Sequence, residues 1–217
     1  MHSSSNPTLP SVHHDLTAPI TEHTVVFPGD PEYKSENVCE LATSPFKLCH
    51  LHFGNHTGTH IDFPAHVIQG GKTSSDYQIN DLIGAGIIIE VPQTEKSITK
   101  DFVSKQPILA KDFVFFKTAN TALSKQGKFT EKYVYIEPDA AEELLKKEVR
   151  IVGIDYISVD QYSAEHLPVH QSLLSNNVLI VEGLELNKAP IGRCKIFIMP
   201  LNIPNMDGLP ARVTAIF

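Results

Sequence analysis

Residues 56–66 read His-Thr-Gly-Thr-His-Ile-Asp-Phe-Pro-Ala-His. Four of them carry metal-ligating or proton-carrying groups: His56, His60, Asp62 and His66. Gly58 and Pro64 argue against a continuous helix. An extended backbone would project the four even-numbered residues to one side, until Pro64 ends the strand. The stretch therefore predicts one wall of a cavity, with imidazole and carboxylate groups pointing inward.

The chemistry of these groups indicates a metal site. Imidazole nitrogen and carboxylate oxygen suit Zn²⁺, Mn²⁺ or Fe²⁺. Two histidines with one carboxylate leave coordination positions for water and substrate, which a catalytic metal needs. Burying such groups without a partner would cost several kcal/mol, so we interpret the cluster as a metal site and not as satisfied core histidines. His50 and His52 share the even numbering, and we expect them to be outer groups at most.

Short apolar segments bounded by turn-forming residues surround this stretch. Segments rich in β-branched and aromatic residues predict strands at residues 47–53, 87–91, 113–116, 133–136, 151–154, 178–182 and 195–200. Acids early and bases late predict a helix over residues 139–147, and a second helix is expected from 167 to 176. Long loops are expected at 28–35, 69–80, 118–132 and 202–210. Strands outnumber helices, which favours a mixed α/β domain with a mixed, largely antiparallel sheet.

Length and composition limit the classes of protein. A chain of 217 residues, 41% apolar and 20% charged, predicts one compact domain over residues 11–217 after a Ser-, Asn- and Pro-rich tail at residues 1–10. The net charge of −7 repels phosphate backbones and anionic lipids, so we expect neither nucleic-acid nor membrane partners. No apolar run reaches the ~18 residues that span a bilayer, and three unpaired cysteines are typical of a cytoplasmic protein.

The stretch 56–66 resembles the HxGTHxDxPxH signature of the cyclase-like metal-dependent hydrolases, the family of bacterial kynurenine formamidase and isatin hydrolase. The agreement extends along most of the chain, at residues 15–17, 27–30, 82–84, 152–155, 158–160, 170, 173–174, 182–184 and 207–212. The resemblance implies a compact β/β/α domain that binds one or two divalent ions, usually zinc or manganese. It further implies hydrolysis of a small amide or lactam.

The resemblance also implies roles for individual residues. His56, His60 and Asp62 would bind the first metal, and Asp62 could bridge to a second ion held by His170 and Glu182. His66 would be the catalytic histidine. Imidazole, with an unperturbed pKa of about 6.5, can take a proton from the attacking water and return it to the leaving nitrogen.

The substrate is less well defined by the sequence. Phe27 stands where kynurenine formamidases usually carry Trp, and Asn120 replaces a second aromatic residue of that family. Phe27 can still stack on a ring, whereas Asn120 cannot. An N-formylkynurenine-type arylformamide is therefore the first expectation. An isatin-like lactam and a cyclic ester or imide stay open.

Two other classes are alternatives to this enzyme. A non-catalytic metal-binding domain would keep the ligands, but it would not require His66. A serine or cysteine hydrolase is not supported, because the sequence has no GxSxG motif and no convincing Cys/His pair.

The resemblance implies a homodimer or tetramer, in which a loop of a neighbouring chain contributes to the pocket.

Overall fold

The computed structural model describes residues 12–217, so the predicted tail at residues 1–10 lies outside the described residues. The strands are β1 (His13–Asp15), β2 (Lys34–Cys39), β3 (Leu48–His52), β4 (His60–Asp62), β5 (Ile83–Glu90), β6 (Ser97–Ile98), β7 (Phe113–Lys117), β8 (Tyr135–Ile136), β9 (Ile151–Ile154), β10 (Leu179–Glu182), β11 (Gly192–Pro200) and β12 (Gly208–Ile216). The α-helices are α1 (Lys100–Ser104), α2 (Asn120–Ser124), α3 (Pro138–Lys146) and α4 (Pro168–Ser175).

The main sheet has eight strands and closes on itself. Its order is β1-β12-β11-β5-β7-β9-β10-β4, and β4 also pairs with the first residues of β12. The pairs β5–β7, β7–β9 and β9–β10 are parallel, whereas the other pairs of this sheet are antiparallel. The predicted mixed, largely antiparallel sheet is confirmed. Because β4 pairs on both sides, the short strand of the histidine motif is fixed from two directions.

Alternating side chains divide the core into two parts. In β7, Phe113 and Phe115 pack into a cluster with inward residues of β9, β10, β11 and β12. The intervening Val114 and Phe116 pack outward, against α3 and α4. Helices therefore cover one outer face of the closed sheet.

Most predicted elements are confirmed, and several boundaries are wrong. Strand β12 begins inside the predicted loop 202–210, because Pro210 and the polar residues around it hide a strand that pairs with distant β4 and β11. Helix α2 lies inside the predicted loop 118–132 and β2 begins inside 28–35; α1 was not predicted. The predicted strand 133–136 is reduced to Tyr135–Ile136, and two 3₁₀ turns interrupt the predicted loop 69–80.

Strands β2 and β3 form a separate two-stranded sheet, which we call the hairpin arm (residues 34–52). Nearly every side chain of the arm is exposed, including the apolar Val38, Leu41, Phe46 and Leu51. Among residues 12–217, no helix is both long and apolar enough to cross a bilayer.

Candidate metal centre

The centre forms where β4, β10 and α4 meet. In the antiparallel register of β4 and β10, Glu182 lies opposite His60. Ile61 and Val181 point into the barrel core. Strand alternation therefore turns the side chains of His60 and Glu182 outward, towards α4.

The motif reaches the centre by three different local structures, so the prediction of an extended backbone from residue 56 to Pro64 is correct only for the three residues of β4. Only His60–Asp62 is strand; His56 lies in the preceding turn and His66 ends a 3₁₀ turn that begins at Pro64. Pro64 does end the strand, as predicted, because proline cannot donate to a strand ladder.

Two glycines make room for this turn. Gly183 has a φ of +66°, and a Cβ there would lie 2.2 Å from the carbonyl oxygen of Gly58. A Cβ at Gly208 would lie 2.3 Å from Cε1 of His56. A side chain at either position would displace the segment that carries the first histidine of the motif.

The structure brings all five predicted ligands together. Asp62 lies 2.8 Å from Nδ1 of His56 and 3.3 Å from Nε2 of His60, measured from its Oδ1. Nε2 of His170 lies 3.2 Å from Oε1 of Glu182 and 3.6 Å from Oδ2 of Asp62. Nε2 of His60 lies 3.5 Å from Oε2 of Glu182. Asp62 is completely buried, so the electrostatic interactions among these groups are stronger than they would be in water.

Hydrogen bonds orient the two buried histidines. Nδ1 of His60 donates to the carbonyl oxygen of Gly58 at 2.9 Å, and Nδ1 of His170 donates to Asp160 at 2.7 Å. In both rings Nε2 is therefore the nitrogen that faces the carboxylates, as a metal ligand requires. Asp160 also accepts from the backbone amides of Val169 and His170, at the start of α4.

A divalent cation fits this donor set. Among the described residues, Asp62 Oδ2 is one of two buried side-chain polar atoms without a hydrogen-bond partner. Donor atoms of His60, Asp62 and Glu182 lie within 4.8 Å of one another, and so do those of His56, Asp62 and His66. Asp62 belongs to both groups. The groups differ from the predicted division, since His60 lies with Glu182 and His66 lies with His56, so the bridging role of Asp62 stays a prediction.

The charges of the centre depend on one another. Burial opposes the charged form of His60, but Asp62 and Glu182 outweigh it and raise its pKa to about 10. The pKa of His170 is raised well above its ordinary value, since burial is outweighed by Glu182, Asp160 and Asp62. Burial would raise the pKa of Asp62, yet the surrounding histidines hold it well below its ordinary range. Without a metal, protons on the imidazoles thus balance the buried carboxylates.

His66 lies at the mouth of the centre and differs from the ligands. Its ring is 4.1 Å from that of His56 and 5.6 Å from that of His170, between centroids. Burial lowers its pKa below the ordinary value, so the ring is mostly neutral at pH 7. Its Nδ1 lies 3.3 Å from Asp207 Oδ2, which also lies 3.1 Å from Nε2 of His56.

Asp160 and Asp207 were not given roles by the sequence. Both fall in stretches that carry the family resemblance, and that was the signal available. Their contacts depend on distant pairing, because Asp207 immediately precedes β12 and is 151 positions from His56. Asn55 Nδ2 donates to Asp207 Oδ1 at 2.8 Å and fixes the carboxylate between the two rings.

A cavity of about 210 Å³ opens onto the centre. Its lining includes the histidines of the site together with Phe27, Ile157 and Leu167. Phe27 belongs to an aromatic cluster, with ring centroids 6.0 Å from Phe129 and 5.8 Å from Tyr162. Sequence reasoning missed Phe129 and Tyr162.

Asn120 does not line this cavity. Its side chain is completely buried and bonds both the backbone N–H and the carbonyl oxygen of Val134, at 2.7 Å each. The residue therefore joins α2 to the chain before β8. His50 and His52 lie on the hairpin arm, outside the ligand set, in a separate sheet.

A closed β sheet flanked by helices, with buried histidine and carboxylate donors beneath a cavity, is typical of a metalloenzyme. The Cyclase family model matches residues 14–161, and the chain belongs to this family. It is 30% identical to a kynurenine formamidase of Salinibacter ruber, across 91% of this chain and 94% of that protein.

Solved structures agree with the family. A structure described as a predicted metal-dependent hydrolase from Bacillus stearothermophilus is 32% identical, covers 96% of this chain and 99% of its own, and superposes with a TM-score of 0.83. An isatin hydrolase bound to the product analogue thioisatinate shares the fold at 21% identity, with a TM-score of 0.82 over 95% of this chain and 92% of its own. The predicted family and fold are confirmed.

Proposed function

We propose that this protein hydrolyses the C–N bond of a small aromatic amide, of the N-formylkynurenine type, with the help of a divalent cation. The observation that carries the proposal is the buried donor set around Asp62, which lies directly beneath a cavity that also exposes His66. The similarity to kynurenine formamidases over 91% of the chain supports an arylformamide as the substrate class.

His56, His60, Asp62, His170 and Glu182 would hold one or two ions, of zinc or manganese. A bound divalent cation supplies an acidified water and polarises the carbonyl under attack. The chain positions these donors before binding, since Gly58 and Asp160 already orient the histidines. Asp62, in contact with both donor groups, is the residue that would be shared if two ions bind.

His66 would move the proton. Because burial keeps its pKa below the ordinary value, the neutral ring can accept a proton from the attacking water near pH 7. The same ring can then donate that proton to the leaving nitrogen, so that an amine departs. Asp207 accepts from Nδ1 of His66 and leaves Nε2 free to face the substrate.

The aromatic cluster supports a ring on the substrate. Phe27 lines the cavity, and Phe129 and Tyr162 contact its ring and each other. Offset or edge-on ring contacts with Phe27 favour an aryl group on the substrate. The cluster provides ring contacts although this sequence has no Trp. A cyclic amide is the second candidate, because isatin hydrolase shares the fold.

We also propose that the protein forms a homodimer or a tetramer. The hairpin arm exposes apolar side chains towards its tip, where Leu41 is 69% and Phe46 is 55% exposed. Apolar patches of this kind on a projecting arm favour contact with another chain. Light scattering of the parent protein and of Leu41→Ser/Phe46→Ser tests this: a shift to monomer supports it, and a monomeric parent contradicts it.

The test of function combines metal content with hydrolysis. Protein purified without added metal is analysed for its elements, then assayed on N-formylkynurenine and isatin before and after chelation. Loss of cleavage on chelation and its return with Zn²⁺ or Mn²⁺ support the proposal, and the active compound identifies the subclass. Full metal loading without hydrolysis of either compound, or of a wider amide and ester panel, would favour a non-catalytic metal-binding protein.

A further inference from the structure

The hairpin arm carries a second group of metal-ligating side chains, distinct from the central donors. Strands β2 and β3 pair with Glu36 opposite His50 and Lys34 opposite His52. Directly opposed residues share a face of the sheet, and so do residues two apart. Glu36, His50, His52 and Lys34 therefore all project from one face of the arm.

The three possible ligands are close enough to share one ion. The ring centroids of His50 and His52 are 4.1 Å apart. One donor atom from each of Glu36, His50 and His52 lies within 4.8 Å of the other two. Ligands ~2.0–2.2 Å from a tetrahedral ion lie roughly 3.3–3.6 Å apart, so small side-chain rotations are enough. All three residues are exposed, which favours such rotations.

The arm gains most from a link between its strands. A two-stranded hairpin by itself is at best marginally stable in water. The arm pairs with no other strand among the described residues, and most of its side chains face solvent. A ligand from β2 and two from β3 would tie the strands together near the base of the arm, away from the apolar tip.

We propose that Glu36, His50 and His52 bind one divalent transition-metal ion, such as Zn²⁺, and that the ion clamps β2 to β3. Two imidazole nitrogens and one carboxylate oxygen are suitable donors for zinc, and water completes the coordination. Lys34 lies opposite His52, so its positive charge opposes the ion and weakens the site. The site does not depend on the proposed hydrolase activity.

The test is a zinc titration. The protein is first loaded with metal at the central site, and unbound metal is then removed by dialysis. Calorimetry and elemental analysis should find one additional ion per chain in the parent. His50→Gln/His52→Gln should weaken this additional binding at least tenfold and leave the central metal in place. Glu36→Gln should weaken it less, and Lys34→Gln should strengthen it. The matched control His13→Gln/His23→Gln alters two other histidines outside the central donor set and should have no effect.

A second readout follows the backbone of the arm. Added zinc should slow amide hydrogen exchange in β2 and β3 of the parent, but not in His50→Gln/His52→Gln. Additional zinc that binds equally to both proteins, or a parent that takes up none, would overturn the proposal. Zinc-dependent association of chains that the double variant abolishes would also overturn it, because the ion would then join two copies and not two strands.

Discussion

The central donors and the donors of the hairpin arm contain the same residue types in opposite surroundings. Asp62, at the centre, is completely buried, whereas Glu36 on the arm is exposed. His60 and His170 each donate a hydrogen bond from Nδ1 to a fixed acceptor. The comparison teaches that residue type selects the metal, while burial and the acceptors behind each ring decide how firmly the ligands are held.

The largest expected effect is on the residue that both central donor groups share. Asp62→Asn removes the charge that His56, His60 and His170 face, so we expect nearly complete loss of central metal and of hydrolysis. Elemental analysis and an assay of turnover measure this. Glu142→Gln is the control, since it alters an exposed carboxylate of α3 that belongs to neither donor group. Full metal content in Asp62→Asn would contradict the difference drawn between the two regions.

The next largest effect is expected at His66, where a substitution distinguishes metal binding from proton transfer. His66→Ala should lower turnover ~10²–10⁴-fold, because the proton of the attacking water loses its acceptor. The metal content should stay the same, since the buried donors are intact. Turnover with N-formylkynurenine and elemental analysis of the same preparation check both statements. A fully active variant with its metal in place would remove His66 from the mechanism.

The pH dependence of metal binding tests the electrostatics of the buried centre. The pKa of His60 is raised to about 10 in the metal-free protein, so its ion pairs stabilise the fold below pH 6.5 and are lost as the pH rises through 10. A cation must displace that proton. Central affinity should therefore rise with pH up to about 10, by about tenfold per unit for each proton displaced. Calorimetry in buffers of different ionisation enthalpy measures the released protons, and affinity independent of pH would contradict this account.

Asp160 tests the contribution of the acceptors behind the rings. Asp160→Asn should weaken central metal binding by about 10–100-fold, because His170 loses the partner that orients it. Asp155→Asn is a matched control: Asp155 is equally buried but bonds Thr118 and Thr121 and contacts no ligand. We expect it to lower stability in thermal unfolding without a change in affinity for metal. Equal metal affinity in Asp160→Asn and the parent would show that burial alone holds His170 in place for metal binding, without its hydrogen bond to Asp160.

The smallest effect concerns the aromatic cluster. Phe27→Leu removes the one ring of the cluster that lines the cavity, with contacts worth ~0.5–1.5 kcal/mol, which corresponds to a roughly 2–12-fold rise in KM for an aromatic substrate. Tyr162→Leu and Phe129→Leu remove the rings that contact Phe27 and should have a smaller effect. The rise should be absent for formamide, which has no ring. Equal changes for both substrates would mean that the cluster supports the cavity without contacting the substrate ring.

The sequence predicted the centre better than its surroundings. The motif residues are close along the chain, so their types and spacing were sufficient to predict that they lie together. His170 and Glu182 needed the family resemblance, because only the pairing of β4 with β10 and the packing of α4 bring them near Asp62. Phe129 stands in a segment that reads as loop, and nothing local indicates that it contacts Phe27.

The fold shows the same division. The strands β7 and β9 could be predicted from their own residues, since buried parallel strands are continuously hydrophobic. Strand β12 was missed, because its pairing with β4 and β11 depends on residues far away in the chain. Asn120, in place of an aromatic residue, was interpreted as the loss of a ring that stacks on the substrate. Its side chain instead forms hydrogen bonds with the backbone of Val134 and joins α2 to the chain before β8.

The double pairing of β4 also sets an order on biosynthesis. His60 and Asp62 leave the ribosome early, but their strand is completed only by β10 on one side and the start of β12 on the other. A growing chain thus carries exposed, unassembled ligands for most of its translation. Assembly waits for contacts of very long sequence separation, which form slowly. A chain that ends before β12 therefore lacks one of the two strands that fix β4, and it holds His60 and Asp62 from one side only.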